Sequence, residues 1–209
     1  MMKFKEAPEI HVGIVQSGHL VLRFHKPYIA FCDGHGMESA SIIEGEIRAE
    51  LVEGKIEVKK EGALIVAGEE LLFSPQDRSM DGFEISDVLI GIGFHWEQKE
   101  DQHFPGMLKL ILKEDKIQAI NLVSLEQYLG AVISSEMHGD SSPALLRAHT
   151  IISRSWLLAQ IKKHEKLLGS GEQYGSIQES DEAYIRWYDR QDHHGFHVCA
   201  DDHCQRYQG

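Results

Sequence analysis

Residues 193–204 read HHGFHVCADDHC, a segment holding His193, His194, His197 and His203 together with two of the chain's three cysteines, Cys199 and Cys204. Thiolate and imidazole are the ligands that tetrahedral Zn²⁺ selects, and such a metal stabilises most where regular secondary structure is thin. The spacing favours His193, Cys199, His203 and Cys204 as a four-ligand set. Adjacent His203 and Cys204 share one ion only across a sharp backbone turn, and His194 or His197 can replace one ligand. A closed set of four leaves no coordination position for a substrate, so a zinc held there is structural. Two other readings stay open: a Cys199 to Cys204 disulfide, as an exported protein would carry, and exposed histidines without a metal. Cys32, alone in YIAFCDG, reads as a small buried apolar residue.

A second centre lies at Glu136, which ends the apolar run SLEQYLGAVISSEM just before a loop containing Gly139. A carboxyl in partly closed apolar surroundings holds its proton to higher pH and can act as a general acid near neutrality. On spacing alone, however, a glutamate at a helix end is more often a solvated residue. Arg147 and Arg154, seven apart on the next helical stretch, share one face.

The elements that must position these groups change character at Ser124. From Ile10 to Asn121 the chain alternates short β-like runs (IHVGIVQ, HLVLRF, IIEGEIRAELV, KIEVKK, ALIVAG, SDVLIGIGF, MLKLIL, KIQAINL) with the turns VEGK, KEGA and KEDK. These turns are of hairpin type, and the alternation of Ile56 and Val58 with charged residues predicts a half-solvated antiparallel strand. In GIGFHW, Gly91 and Gly93 read as strand glycines, since no phosphate-binding helix follows them.

Beyond Ser124, a predicted N-cap, the spacing of Leu125, Tyr128, Leu129, Val132 and Ile133 predicts one helix. Ser142 and Pro143 then open a longer one that runs to Gly169, with an apolar face of Leu145, Ala148, Ile152, Trp156 and Ala159.

The 209 residues carry 33 acidic and 21 basic side chains, a formal charge of −12, with 42% apolar content. A chain so acidic repels phosphate backbones, which excludes nucleic acid as the expected partner. No run is long and apolar enough for a membrane span, and no signal peptide is visible after Lys3 and Lys5.

Two stretches carry a resemblance. YLGAVISSEMHGDSSPALLRAHTIISRSWLLAQ, followed by the closing CQRYQG, resembles the SpoIID/LytB family, whose YL-x-G-V helix leads to EM, then to a helix close to EALKAQAVAARTYAL, and later to CQ-x-Y-x-G. Tyr128 and Leu129 meet the first element, Glu136 and Met137 the second, Ala144 to Ala148 and Arg154 to Trp156 the third. His149 stands where glutamine is usual, Ser155 replaces threonine, Trp156 replaces tyrosine, and HGDSS lacks the usual proline and tryptophan.

The resemblance implies a peptidoglycan lytic transglycosylase, which cleaves between N-acetylmuramic acid and N-acetylglucosamine without water and leaves an anhydro-muramyl end. Glu136 would protonate the departing glycosidic oxygen and then take the proton of the sugar's own C6 hydroxyl. A hydrolase such as a muramidase needs a second carboxylate, for which Glu126 and Asp140 are the nearby residues, and nothing marks either. The resemblance further implies that Arg154 holds a sugar oxygen or orients Glu136, and that Tyr128, Gln205 and Tyr207 offer hydrogen bonds and an apolar ring face to the glycan. It also supports zinc at the cysteine and histidine cluster, pinning the last residues beside Glu136. The rival from another class is a non-catalytic glycan-binding or amidase-enhancing protein of the cell envelope, with a cell-wall amidase or another envelope protein as partner.

The fold class expected is α+β: a β-rich N-terminal domain over residues 1–121, followed over residues 122–209 by the helical first part of a SpoIID-like domain. The family's domain normally continues past the last motif, so the expectation is of a truncated domain whose groove is incomplete and whose activity is weak.

Overall fold

A computed structural model describes residues 8–32, 40–77, 82–170, 177–179, 184–186, 193 and 195–209. Its architecture corrects the expected fold class. Strands dominate, and they form one large mixed sheet in place of a β domain followed by a helical one.

The strands run β1 (Glu9–Ser17), β2 (His19–Cys32), β3 (Ser41–Val52), β4 (Lys55–Lys60), β5 (Ala63–Gly68), β6 (Glu70–Pro75), β7 (Gly82–Ile90), β8 (Gln98–Pro105), β9 (Met107–Lys113) and β10 (Lys116–Ser124). Helices α1 (Leu125–Glu136) and α2 (Pro143–Ser170) follow, then β11 (Ile177–Glu179), β12 (Tyr184–Arg186) and β13 (Val198–Cys199). Strands β11 and β12 pair only with each other; the rest form a sheet ordered β13-β1-β10-β9-β6-β2-β3-β4-β5, with β7 on β2 and β8 on β7. All its pairings are antiparallel except that of β13 with β1.

Local chemistry explains the hairpins. In each of the three predicted turns the two central residues have positive φ, Glu53 and Gly54, Glu61 and Gly62, Glu114 and Asp115. That is the primed geometry whose twist matches the flanking strands. Strand β2 changes partner along its length: Leu22 to Phe24 pair with β7, and Tyr28 to Cys32 with β6. The change falls at an irregularity between Phe24 and Tyr28, which contains Pro27, a residue with no N–H to give a ladder.

Strand β10 is central, with seven consecutive buried residues from Ile117 to Val123. Ile117, Ala119 and Val123 join the main core, while Ile120 and Leu122 pack with Phe196 on the other face. The main core reaches from Ile10 to Tyr207 and includes Leu125, Tyr128, Leu129 and Val132 of α1.

Both helix starts are capped as the sequence predicts: Gln127 N–H donates to Ser124 Oγ at 3.3 Å, and Leu145 N–H to Ser142 Oγ at 3.2 Å. The buried face of α2, however, is not the predicted one. Ser153, Leu157 and Ile161 are buried, whereas Leu145, Ala148 and Ala159 are exposed and Ile152 is 67% exposed; only Trp156 of the expected face packs against the core. Among the described residues no helix is long and apolar enough to cross a membrane.

Candidate functional site

Helix α1 delivers Glu136 at its last turn, where Met137 N–H closes on Ile133 O at 2.9 Å and the chain leaves in extended conformation. Both carboxylate oxygens of Glu136 have partners. Oε1 accepts the Arg206 backbone N–H at 3.1 Å, and Oε2 lies 2.7 Å from His149 Nε2, which α2 supplies. The Glu136 side chain is 27% exposed and that of His149 only 14%. His149 Nδ1 is buried without a hydrogen-bond partner.

Arg154 engages Glu126 instead of Glu136, in a two-pronged pair of 2.6 and 2.7 Å across the α1–α2 contact. Both members are well exposed, which limits the pair to a fraction of a kcal/mol up to about 1 kcal/mol of stability. Asp140 is exposed and lies 3.7 Å from His138.

The segment after Cys204 forms one wall. Tyr207, 1% exposed, stacks on Tyr128 with ring centroids 5.1 Å apart and on Phe104 at 6.0 Å. Its hydroxyl donates to Asn121 Oδ1 at 2.6 Å, and the Asn121 amide nitrogen donates in turn to Pro105 O and Met107 O at 2.7 and 3.0 Å. Burial pushes both phenols above their ordinary pKa; Tyr128 is raised further by the negative charge of the Cys204, Cys199 and Glu136 side chains beside it. Each ring therefore keeps its O–H. Tyr128 points its hydroxyl toward Gln205 Oε1 at 3.5 Å, the long limit of a hydrogen bond. Gln205 is half-buried.

The thiol and imidazole groups gather next to this wall. One donor atom from each of His193, Cys199, His203 and Cys204 lies within 4.8 Å of the other three. Strand β13 fixes Cys199 by pairing with β1 at Val12 and Gly13, and His197 N–H and Ala200 N–H donate to His11 O and Gly13 O, both at 2.9 Å. A side chain at Gly13 would meet the Phe196 ring at 2.6 Å, so glycine lets that ring lie on β1. A turn from Asp201 O to Cys204 N–H, 3.0 Å, brings His203 and Cys204 to one side.

Sulfur to nitrogen separations are 3.1 Å for Cys204 with His193, 3.6 Å for Cys204 with His203 and 3.8 Å for Cys199 with His203. Zinc bonds of about 2.3 Å to sulfur and 2.0–2.1 Å to nitrogen set tetrahedral edges of about 3.5 Å, so the donor set suits that ion. None of the three cysteines is in a disulfide. Cys199 is drawn down to about 3, first by the hydrogen bond of Cys204 and, against desolvation, by His193 and His203. A thiolate is the form a metal takes.

The structure thus brings Glu136, Tyr128, Gln205 and Tyr207 to one region, with the His193–Cys199–His203–Cys204 group beside it, and sets Arg154 on Glu126. His194 lies outside the described residues, and His197 Nδ1 accepts the His11 N–H at 3.1 Å. Two partners of Glu136 escaped the sequence reading. His149 drew notice only as an unusual residue for its motif, and the Arg206 contact is made by backbone, which no residue type announces.

A family model described as Stage II sporulation protein, SpoIID, matches residues 113–209. No curated protein and no solved structure matches the chain.

Proposed function

Because residues 113–209 belong to the SpoIID family, we propose that this chain acts on the bacterial cell wall, in a sporulation-related role, as a peptidoglycan lytic transglycosylase. The observation that carries this reading is the setting of Glu136: a partly sheltered carboxyl at a helix end, held at one oxygen by a backbone N–H and at the other by a histidine. In its protonated form Glu136 gives its proton to the glycosidic oxygen as the bond from the muramyl C1 breaks. The C6 hydroxyl oxygen of the same sugar then bonds to C1 and returns its proton to Glu136, which completes the cycle without water. The Arg206 N–H fixes Oε1, and the His149 ring orients the carboxyl from Oε2. Tyr128 and Tyr207, buried on each other, hold the wall, and Gln205 is the half-buried amide next to them that meets the glycan.

His193, Cys199, His203 and Cys204 would hold a zinc ion whose contribution is structural, tying β13 to the turn that precedes Gln205. Arg154, paired with Glu126, braces α1 against α2.

A second reading is a non-catalytic glycan-binding or amidase-enhancing protein. It is favoured by one feature: both Glu136 oxygens are occupied by this chain's own groups, so a glycosidic oxygen must displace one of them, whereas a binding role demands no displacement.

Glu136→Gln separates the two readings. An amide has no proton to give, so release of anhydro-muropeptides from purified peptidoglycan falls by about a hundredfold or more while glycan binding persists. Mass spectrometry showing undiminished anhydro ends with the variant would remove Glu136 from the acid/base role. Amidase stimulation by a chain that itself releases no anhydro ends would establish the second reading.

A further inference from the structure

The turn joining β7 to β8, residues 91–97, takes no part in the chemistry above, yet it is firmly built. Phe94 N–H donates to Gly91 O at 2.9 Å, Glu97 N–H to Phe94 O at 3.1 Å, and Gly93 N–H to the Glu97 carboxylate at 2.8 Å. Gly91 and Gly93, expected within a strand, instead have φ of 65° and 81° and make this turn. A Cβ at Gly91 would stand 2.3 Å from the six-membered ring of Trp96, so the indole packs where a side chain would otherwise be.

Phe94 stacks on Trp96, centroids 5.6 Å apart and 16° between planes, yet remains 52% exposed; Ile92 beside it is exposed as well. Burying so much aromatic surface at so little conformational cost is what a stacking platform requires. The Arg206 guanidinium lies over the Trp96 ring, 4.9 Å from its centroid.

Between this turn and the last residues opens a small, shallow recess, with Trp96, Asp201, Asp202, Arg206 and Gln208 in its wall. Gln102, whose amide nitrogen is buried without a hydrogen-bond partner, also lines it. Aromatic faces bordered by carboxylates, a guanidinium and amides match a pyranose, which offers C–H groups on one face and hydroxyl or acetamido groups around its rim. A polyanion would meet Asp201, Asp202 and Glu97 on a chain of formal charge −12.

Arg206 connects this platform to Glu136: its backbone N–H holds Oε1 of that residue, and its side chain covers Trp96. A glycan strand that follows Arg206 away from Glu136 runs toward Trp96 and the Phe94 ring stacked on it. We infer that the 91–97 turn, with Arg206, is a distal subsite for the glycan strand, in which Phe94 is the stacking face and Arg206 and Asp202 are the polar partners. The inference rests on the reading of the Glu136 site as one that acts on glycan.

The test uses the full chain carrying Glu136→Gln, so that nothing is cleaved, and peptide-free peptidoglycan glycan strands of one and of four or more disaccharide units, titrated by calorimetry. Longer strands bind more tightly than the single disaccharide. Adding Phe94→Ala removes about three- to tenfold of that gain, the scale of one lost aromatic stack, while Phe94→Trp restores it; Phe94 is exposed, so an unchanged melting temperature accompanies both. If longer strands bind no better than short ones, or Phe94→Ala leaves the gain intact, the subsite is refuted while the Glu136 reading stands. If glycan of no length binds and the unsubstituted chain releases no anhydro ends, both fall together.

Discussion

Tyr207→Phe isolates one hydrogen bond on which the wall beside Glu136 depends. The substitution keeps the ring, and with it the stacks on Tyr128 and Phe104. It removes only the hydroxyl that donates to Asn121 Oδ1 at 2.6 Å. Asn121 is fully buried and its amide nitrogen is committed to Pro105 O and Met107 O, so the side chain cannot turn to find another donor without breaking both bonds. Its oxygen becomes a buried acceptor with no partner, a loss of about 1–3 kcal/mol. For a chain of this size the melting temperature drops by roughly 2–4 °C per kcal/mol. Tyr207→Ala removes the ring as well and falls in the range of about 3–5 kcal/mol for a buried aromatic. Urea unfolding with zinc in equal excess for each variant gives the two values, and their difference is the packing share. A phenylalanine variant within about 0.5 kcal/mol of the parent would show that Asn121 is satisfied otherwise and that the C-terminal segment is not pinned at this point.

Two further outcomes follow from the same geometry. The chain purified without chelator is expected to carry one zinc, which Cys199→Ser with Cys204→Ser removes; elemental analysis finding no metal, with thiols titratable only after reduction, would instead establish the disulfide. On α2, Leu157→Ala destabilises by about 2–5 kcal/mol because Leu157 is fully buried, whereas Ile152→Ala stays within about 0.5 kcal/mol; the reverse order in thermal melts would mean that the helix packs through its other face.

The contrast between Leu157 and Ile152 also shows where sequence reading stops. Residues 145–158 are apolar on more than one side, with Leu145, Leu146, Ile151, Ile152, Leu157 and Leu158 all present, so a 3.6-residue period offers two faces and cannot choose between them. The choice is made by packing at Ser153, Leu157 and Ile161. The three hairpins were legible because glycine and acidic residues at two-residue turns state their geometry locally. Strand β8 was not: QKEDQHFP has neither β-branched residues nor clean alternation, and it becomes a strand because β7 offers a ladder. The expected fold class, a β-rich domain followed by a helical one, was overturned for a related reason, since the pairing of β1 with β10 and β13 is a long-range fact that no local window holds. At the site, Glu136 and the cysteine and histidine group could be singled out by residue type and order. Its second layer could not, because His149, Asn121 and the Arg206 backbone become relevant only through distance.

The parallel pairing of β13 with β1 has a consequence for the order in which the sheet can assemble. His11 and His197, whose backbones meet there, are 186 positions apart, whereas β3, β4 and β5 are joined by two-residue turns. Loop closure between distant segments loses more chain entropy than closure between neighbours, so local hairpins are the accessible starting points and the β1 edge is the last to be sealed. Strand β1 precedes β10 and β13 in the chain, and among the described residues its outer edge pairs only with β13, which ends at residue 199. The sheet therefore starts from its local hairpins, β1 joins only through β10, and the final stitch is made by the residues that carry the thiols.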